Sequence, residues 1–242
     1  MKKIILILIG VFLIAFDGKV EPINEYDIKS AISGRVVLAN KNLEAKNLKN
    51  ELVVKVDDYQ NKVDLENLKT NAKLLEKEIK NQEEIVKRKN DIYQRYKNLK
   101  TKSKTSKDLK FFDYIASYNQ LLSLKSQYSN TLANIKKLQD LINKKSIKIS
   151  GYLYKLYTQK GDYLTPGKIV AKVYDISKQK IDIYVPIDFD LKGKKVFING
   201  KKSNFKIYKK WIVTDDNYVT SYKVELIGNG LKFGDIVKVE LK

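Results

Sequence analysis

Ile32-Ser33-Gly34-Arg35-Val36-Val37 and Ile149-Ser150-Gly151-Tyr152-Leu153-Tyr154 read almost alike, and a long heptad-patterned segment separates them. Each is a strand-like run with glycine where a bend or a close backbone approach is needed. The same β element on both sides of a helical insertion implies one small β module split open by a projecting helical pair. Such a layout suits reaching and connecting better than catalysis.

The insertion has its own periodicity. Helix signals set in near Asp64. From Leu65, steps of three and four reach Leu68, Ala72, Leu75, Ile79, Gln82, Val86, Lys89, Tyr93 and Tyr96. Eight of those ten positions are apolar or aromatic, which argues for a coiled-coil seam. The pattern stops at the polar stretch Thr101-Lys102-Ser103-Lys104-Thr105-Ser106, where Ser106 stands as an expected N-cap for a second helix. The seam resumes through Tyr114, Leu121, Leu124, Tyr128, Thr131, Ile135, Leu138 and Ile142. Two helices joined by a short polar link predict an antiparallel hairpin. Some 35 residues at 1.5 Å each would extend about 50 Å.

On both flanks the period changes to that of strands. Before the insertion come Ile28, Ala31-Ile32, Val36-Val37-Leu38 and Leu52-Val53-Val54. After it come Ile147, Ile149, Leu153 and Leu156, then the turn chemistry of Gly161-Asp162 and Pro166-Gly167, then Ile169 to Val173. The last sixty or so residues alternate as strands at 181–185, 196–198, 205–208, 222–226 and 236–241. Asn199-Gly200 marks a tight hairpin turn between two of them, and a small barrel or sandwich is expected. The first flank has no glycine turns of this kind. Asn40-Lys41-Asn42 and Lys49-Asn50-Glu51 stand where they would be.

Composition excludes several chemistries. Neither Cys nor His occurs in the 242 residues, which removes thiol nucleophiles, Cys or His metal sites, imidazole catalysis and disulfides. No catalytic, metal-binding or cofactor-binding residue is assigned. The net charge of +20 would suit an anionic partner, yet 45 of the 48 basic residues are lysines spread over the whole chain. No arginine-rich or aromatic-interleaved patch reads as a nucleic-acid surface. At the N-terminus, Lys2-Lys3 precede an uncharged run from Ile4 to Phe16, ended by Asp17. That run has the length of a signal-peptide core and is short for a membrane span of about 20 residues. It directs export, either with cleavage (Ala15 and Gly18 being the only small residues available) or as an uncleaved anchor.

The stretch from Ile149-Ser150-Gly151 through Gly161-Asp162, Pro166-Gly167 and Ala171 resembles the second half of a biotinyl/lipoyl-type domain. A domain of that type split by a helical hairpin and followed by a β-barrel resembles the periplasmic adaptors, also called membrane fusion proteins or the HlyD family. The resemblance implies an α+β multi-domain chain. Residues 1–20 would be a signal peptide or N-terminal membrane anchor, and 21–58 the first half of a lipoyl-like domain. The hairpin would be 59–146, the second lipoyl-like half 147–178, and a β-barrel 179–242.

At the expected hairpin apex, Arg95-Tyr96-Lys97-Asn98-Leu99 followed by Ser106 has the spacing Arg-x₃-Leu-x₆-Ser. It resembles the tip motif by which adaptors of this family dock on TolC-type outer-membrane channels. Arg95 would offer a planar multi-donor fork, Leu99 an apolar contact and Ser106 a short polar one. The bland reading makes Arg95 a solvated residue, Leu99 the end of the seam and Ser106 a helix cap. By resemblance the partners are an inner-membrane transporter, ABC-type or proton-driven, a TolC-type channel, and further copies of the chain in a ring. The place of action is the periplasm, in association with the inner membrane. Lipoyl domains carry their cofactor on a turn lysine. Here the helices leave from that turn, so no cofactor is expected.

Two other classes compete. An exported coiled-coil scaffold of the envelope explains the helices but neither the paired Ser-Gly elements nor the tip motif. A carboxylate hydrolase would need Asp215-Asp216 or Asp188 with Asp190 across a cleft; these pairs fall in connecting loops with no pocket signature.

Overall fold

The computed structural model describes residues 15–242. In chain order the elements are β1 (Ala15–Lys29), β2 (Gly34–Ala39), β3 (Lys46–Val56), α1 (Tyr59–Asn98), α2 (Lys104–Lys144), β4 (Ser146–Leu156), β5 (Tyr163–Leu164) and β6 (Ile169–Pro186). They are followed by β7 (Val196–Ile198), β8 (Lys201–Lys202), β9 (Lys206–Lys210), β10 (Ser221–Gly228) and β11 (Ile236–Leu241). The architecture is α+β, with two long helices inserted into an antiparallel sheet system. Its strands run in the order β5-β2-β3-β4-β6-β1-β11-β7-β8, and β10 joins β6 to β9.

Two apolar cores divide these strands into two β units. The first gathers Ile32, Val36, Val53, Val54, Ile149, Leu153, Leu164 and Val173 from both sides of the insertion. The second gathers Phe16, Val20, Ile181, Ile183, Phe205, Leu226 and Val239. The long strands β1 and β6 serve both. Their distal parts pair from Asn24↔Asp175 to Lys29↔Ile169 in the first unit. Toward the second unit β1 turns to β11 (Ala15↔Glu240 to Lys19↔Ile236) and β6 turns to β10. Gln179 marks the crossing point: it is buried, accepts from the Leu231 N–H at 2.9 Å and donates to the Leu231 carbonyl. The expected boundary between 178 and 179 therefore falls inside one continuous strand.

Both repeat glycines have a steric reason. Gly34 has φ 151°, and a Cβ there would lie 2.5 Å from Val56; Gly151 has φ 110°, and a Cβ would lie 3.1 Å from Tyr174 O and from Val173. The neighbouring Ile32 and Ile149 are both buried in the first core. Asn199 (φ 50°) and Gly200 (φ 76°) form the two-residue turn between β7 and β8, the left-handed pair that a tight hairpin favours.

Other expectations are corrected. Residues 15–20, read as the tail of an export segment, belong to β1, where Phe16, Gly18 and Val20 alternate inward. The remainder of that segment, 1–14, lies outside the described residues. Lys49-Asn50-Glu51 is no inter-strand turn: it lies inside β3, where the register steps from Leu48↔Gly151 to Glu51↔Ile149. Asn50 takes φ 57° there, and its N–H donates to Ser150 Oγ at 3.0 Å. A bulge, not a turn, replaces the missing glycine.

Helix α1 starts at Tyr59, five residues before the seam signal at Asp64, because the Asp57 carboxylate accepts from the Tyr59 N–H at 3.0 Å. The helices have 40 and 41 residues, so the hairpin reaches about 60 Å. Every seam position from Leu65 to Tyr96 and from Tyr114 to Ile142 is buried or half-buried. Cross-links such as Gln82 Nε2 to Ser117 O (2.8 Å) and Lys125 to Glu83 (2.8 Å) fix the antiparallel register. Among the described residues no helix is long and apolar enough to cross a membrane.

Candidate partner interface

The hairpin root is tied to the first β unit by charge. Lys55, the penultimate residue of β3, reaches Asp58 Oδ2 at 2.5 Å and Ser146 Oγ at 2.8 Å, and Lys62 approaches the same carboxylate at 3.2 Å. Lys145, which follows α2, donates to the Asp57 carbonyl at 2.5 Å and to Asn61. Burial pushes the Asp58 carboxyl up, but the hydrogen bonds and charges of Lys55 and Lys62 outweigh it and hold the group below the ordinary carboxylate range. The root is a latch between the chain entering and the chain leaving the insertion.

The tip is held differently. Tyr93 packs on Phe111 (centroids 5.3 Å) and stacks on Tyr114 (6.3 Å), closing the last part of the seam. Lys102 and Lys110 place their ammonium groups 5.7 and 5.9 Å from the Tyr96 ring centre. These aromatic contacts define the apex geometry, while the connecting residues stay open to water.

Arg95, Leu99 and Ser106 all lie at this apex. Arg95 occupies the last turn of α1, exposed, with one long intrahelical bond from Nε to the Asp91 carbonyl (3.4 Å). Leu99 follows α1 in extended conformation and is 42% exposed. Ser106 is not the cap of α2. That place belongs to Ser103, whose Oγ accepts from the Ser106 N–H at 3.2 Å and lies 3.0 Å from Ser106 Oγ. The shift has a simple cause: α2 begins at Lys104, inside the polar stretch. The stretch holds neither Gly nor Pro to break a helix, and the Ser103 hydroxyl is placed to accept from the first turn.

The first turns of α2 also expose Leu109 (59%) and Phe112 (63%), which the seam reading passed over. Both fall off the seam spacing, and large apolar residues on a solvated helix face were the available signal. With Leu99 they give the tip an apolar, lysine-bordered surface.

In each carboxylate pair weighed for catalysis, one member caps a turn. Asp215 Oδ1 accepts from the N–H groups of Asn217 and Tyr218, and Asp190 Oδ1 accepts from that of Lys192.

No protein-family model matches the sequence, and no curated protein matches it. Solved structures do. MacA from Actinobacillus actinomycetemcomitans aligns over 95% of this chain and 78% of its own, with a TM-score of 0.75 at 15% identity. The membrane fusion protein Spr0693 from Streptococcus pneumoniae R6 aligns over 95% and 98%, with a TM-score of 0.64 at 12% identity. A MacA–MexA chimera containing the Pseudomonas aeruginosa MexA α-hairpin domain aligns over 95% and 81%, with a TM-score of 0.58 at 17% identity. At such identities the likeness speaks for the fold, and it spans the β units and the hairpin alike: the chain has the fold of the membrane fusion proteins.

Proposed function

We propose that the protein is a periplasmic adaptor, the membrane fusion subunit of a tripartite efflux or type I secretion system. It links an inner-membrane transporter, ABC-type or proton-driven, to a TolC-type outer-membrane channel. In this reading the first β unit is a lipoyl-like domain split by the hairpin, and the second is a β-barrel. The observation that carries the proposal is the hairpin of about 60 Å, latched at its root and presenting exposed Arg95 and Leu99 at its apex. A rigid helical pair of that length acts as a strut, and its chemistry is concentrated where a distant partner would meet it.

Arg95 offers a guanidinium fork to carbonyls or carboxylates of the channel mouth. Leu99, with Leu109 and Phe112, supplies apolar contact, and Ser106 a short polar contact beside its cap Ser103. Copies of the hairpin arranged side by side in a closed ring would wall a conduit. The protein is a passive connector: it binds, spaces and seals, and the chemistry of energy coupling belongs to the transporter.

The test is a photo-crosslinking residue in place of Leu99, in cells of the source organism. Capture of a TolC-type channel is the expected result, with Arg95→Asp abolishing it. Capture of only neighbouring copies, or of nothing, would reduce the tip motif to coincidence and favour an envelope scaffold.

A further inference from the structure

The end of the second β unit reached by the last residues of β6 carries an apolar loop that the adaptor reading does not use. Between β9 and β10, Trp211 (39%), Ile212 (78%), Val213 (76%), Tyr218 (48%) and Val219 (66%) are exposed together. The loop is built, not slack. The Trp211 N–H donates to Lys223 O at 2.9 Å, Asp215 caps the N–H groups of Asn217 and Tyr218, and the Ser221 N–H reaches Tyr218 O at 3.1 Å. The Tyr218 ring stacks on Tyr184 of β6 with centroids 3.7 Å apart. The backbone therefore holds Ile212 and Val213 outward instead of letting them fold back on the core.

The start of β1 arrives at this same end. Val20 pairs with Ile181 and Ser221 with Pro186, so the first residues of β1 and the last of β6 run the same way from the crossing point. Phe16 packs edge-on against Phe189, just beyond β6, at 5.5 Å. The start of β1 and the loop therefore lie toward the same end of this unit. Lysines border this end. Lys223 lies 5.2 Å from the Trp211 ring centre, Lys194 lies 5.8 Å from that of Phe189, and Lys209 and Lys210 lead into the loop. Of these, Lys223 is paired with Asp182 Oδ2 at 2.7 Å, while Asp215 and Asp190 are engaged by backbone N–H groups.

Exposed Trp and Tyr beside branched apolar residues, with lysines behind them, match the chemistry of a membrane–water interface. We propose that loop 211–220 seats in the headgroup region of an anionic lipid bilayer and stands the protein upright on it. The proposal rests on the adaptor reading only for which membrane is meant. A bilayer is favoured over a protein partner because the loop offers apolar tips with a cationic border, and because in the sequence the uncharged run Ile4 to Phe16 leads into β1, whose start lies toward the same end.

The chain contains a single tryptophan, so tryptophan emission reports on this loop alone. Full-length protein is mixed with vesicles of phosphatidylethanolamine and phosphatidylglycerol, and with vesicles of the same lipids brominated on their acyl chains. Expected are a blue-shifted Trp211 emission and its quenching by the brominated lipid. Both should weaken when the anionic lipid is left out, and both should be lost in the Ile212→Asp/Val213→Asp variant. Those two side chains are mostly exposed, so the variant keeps its fold, which circular dichroism checks. Unshifted, unquenched Trp211 in vesicles that do bind the protein would overturn the proposal and assign the loop to a protein surface. The result is independent of the Leu99 crosslink, so either reading can fail alone.

Discussion

At the root of the hairpin, lysines and carboxylates are matched and half-covered: the Asp58 side chain is 10% exposed and that of Lys55 20%. At the tip, Arg95, Lys102 and Lys104 are exposed, and aromatic rings do the holding that carboxylates do at the root. The same charged alphabet thus gives a latch at one end and an unsatisfied surface at the other. A surface ion pair is worth little, but a shielded one resists removal of a single partner because a buried charge is left behind. Stability should therefore concentrate at the root and docking at the tip.

The largest contrast is expected between two leucines. Leu153 in β4 is fully buried in the first core. Leu153→Ala should cost about 2–5 kcal/mol through lost burial and a residual cavity. Leu99→Ala at the tip should change stability by less than about 0.5 kcal/mol. Chemical denaturation of both variants measures this. Equal losses would mean that the tip is packed against something within the protein. Transport should rank them the other way, with Leu99→Asp silent in denaturation and defective in the cell.

A smaller effect should follow pH. The Asp58 carboxyl is held below its ordinary value, so its contribution is fully present above the unfolded pKa of about 4 and is lost as pH falls through the folded value. Thermal midpoints measured from neutral pH down to about 3 should fall, and Asp58→Asn should flatten part of that slope. At neutral pH the Asn variant should lose about 1–3 kcal/mol, since the half-covered Lys55 loses its counter-charge and keeps only Ser146 Oγ. A wild-type slope unchanged by Asp58→Asn would place the acid sensitivity elsewhere and weaken the latch.

Much of the hairpin could be read from the sequence because its signal is long: the seam positions repeat, and each repeat confirms the last. The repeated Ile-Ser-Gly was legible because a glycine forced by close approach leaves a residue that nothing else can replace, as Gly34 and Gly151 do. Strand β1 was hidden by a stronger local signal. The apolar run that reads as an export core ends at Phe16, while the alternation of Phe16, Gly18 and Val20 begins inside it. One residue served two patterns. The bulge at Asn50 was obscure because an asparagine in left-handed conformation looks like a turn, and only pairing with β4 shows that the strand continues. At the apex, residue types were readable but their places were not: the serine spacing fits either Ser103 or Ser106 as cap. Leu109 and Phe112 stand out only once the seam has been assigned to other residues.

That serine choice gives the smallest and most local expectation. Ser103 Oγ accepts the Ser106 N–H, so Ser103→Ala removes an N-cap and should cost about 1 kcal/mol of helix-end stability. Because the first turn of α2 is exposed and distant from both cores, the loss should appear as faster amide exchange at residues 104–108, without a shift of the global midpoint. Ser106→Ala keeps the capping oxygen and removes only the hydroxyl partner 3.0 Å away, so exchange there should be nearly unchanged. If Ser106→Ala then impairs transport while Ser103→Ala mainly loosens the turn, the two serines separate cleanly: one builds the apex and the other meets the partner. The reverse ranking would give Ser103 both roles and remove Ser106 from the docking surface.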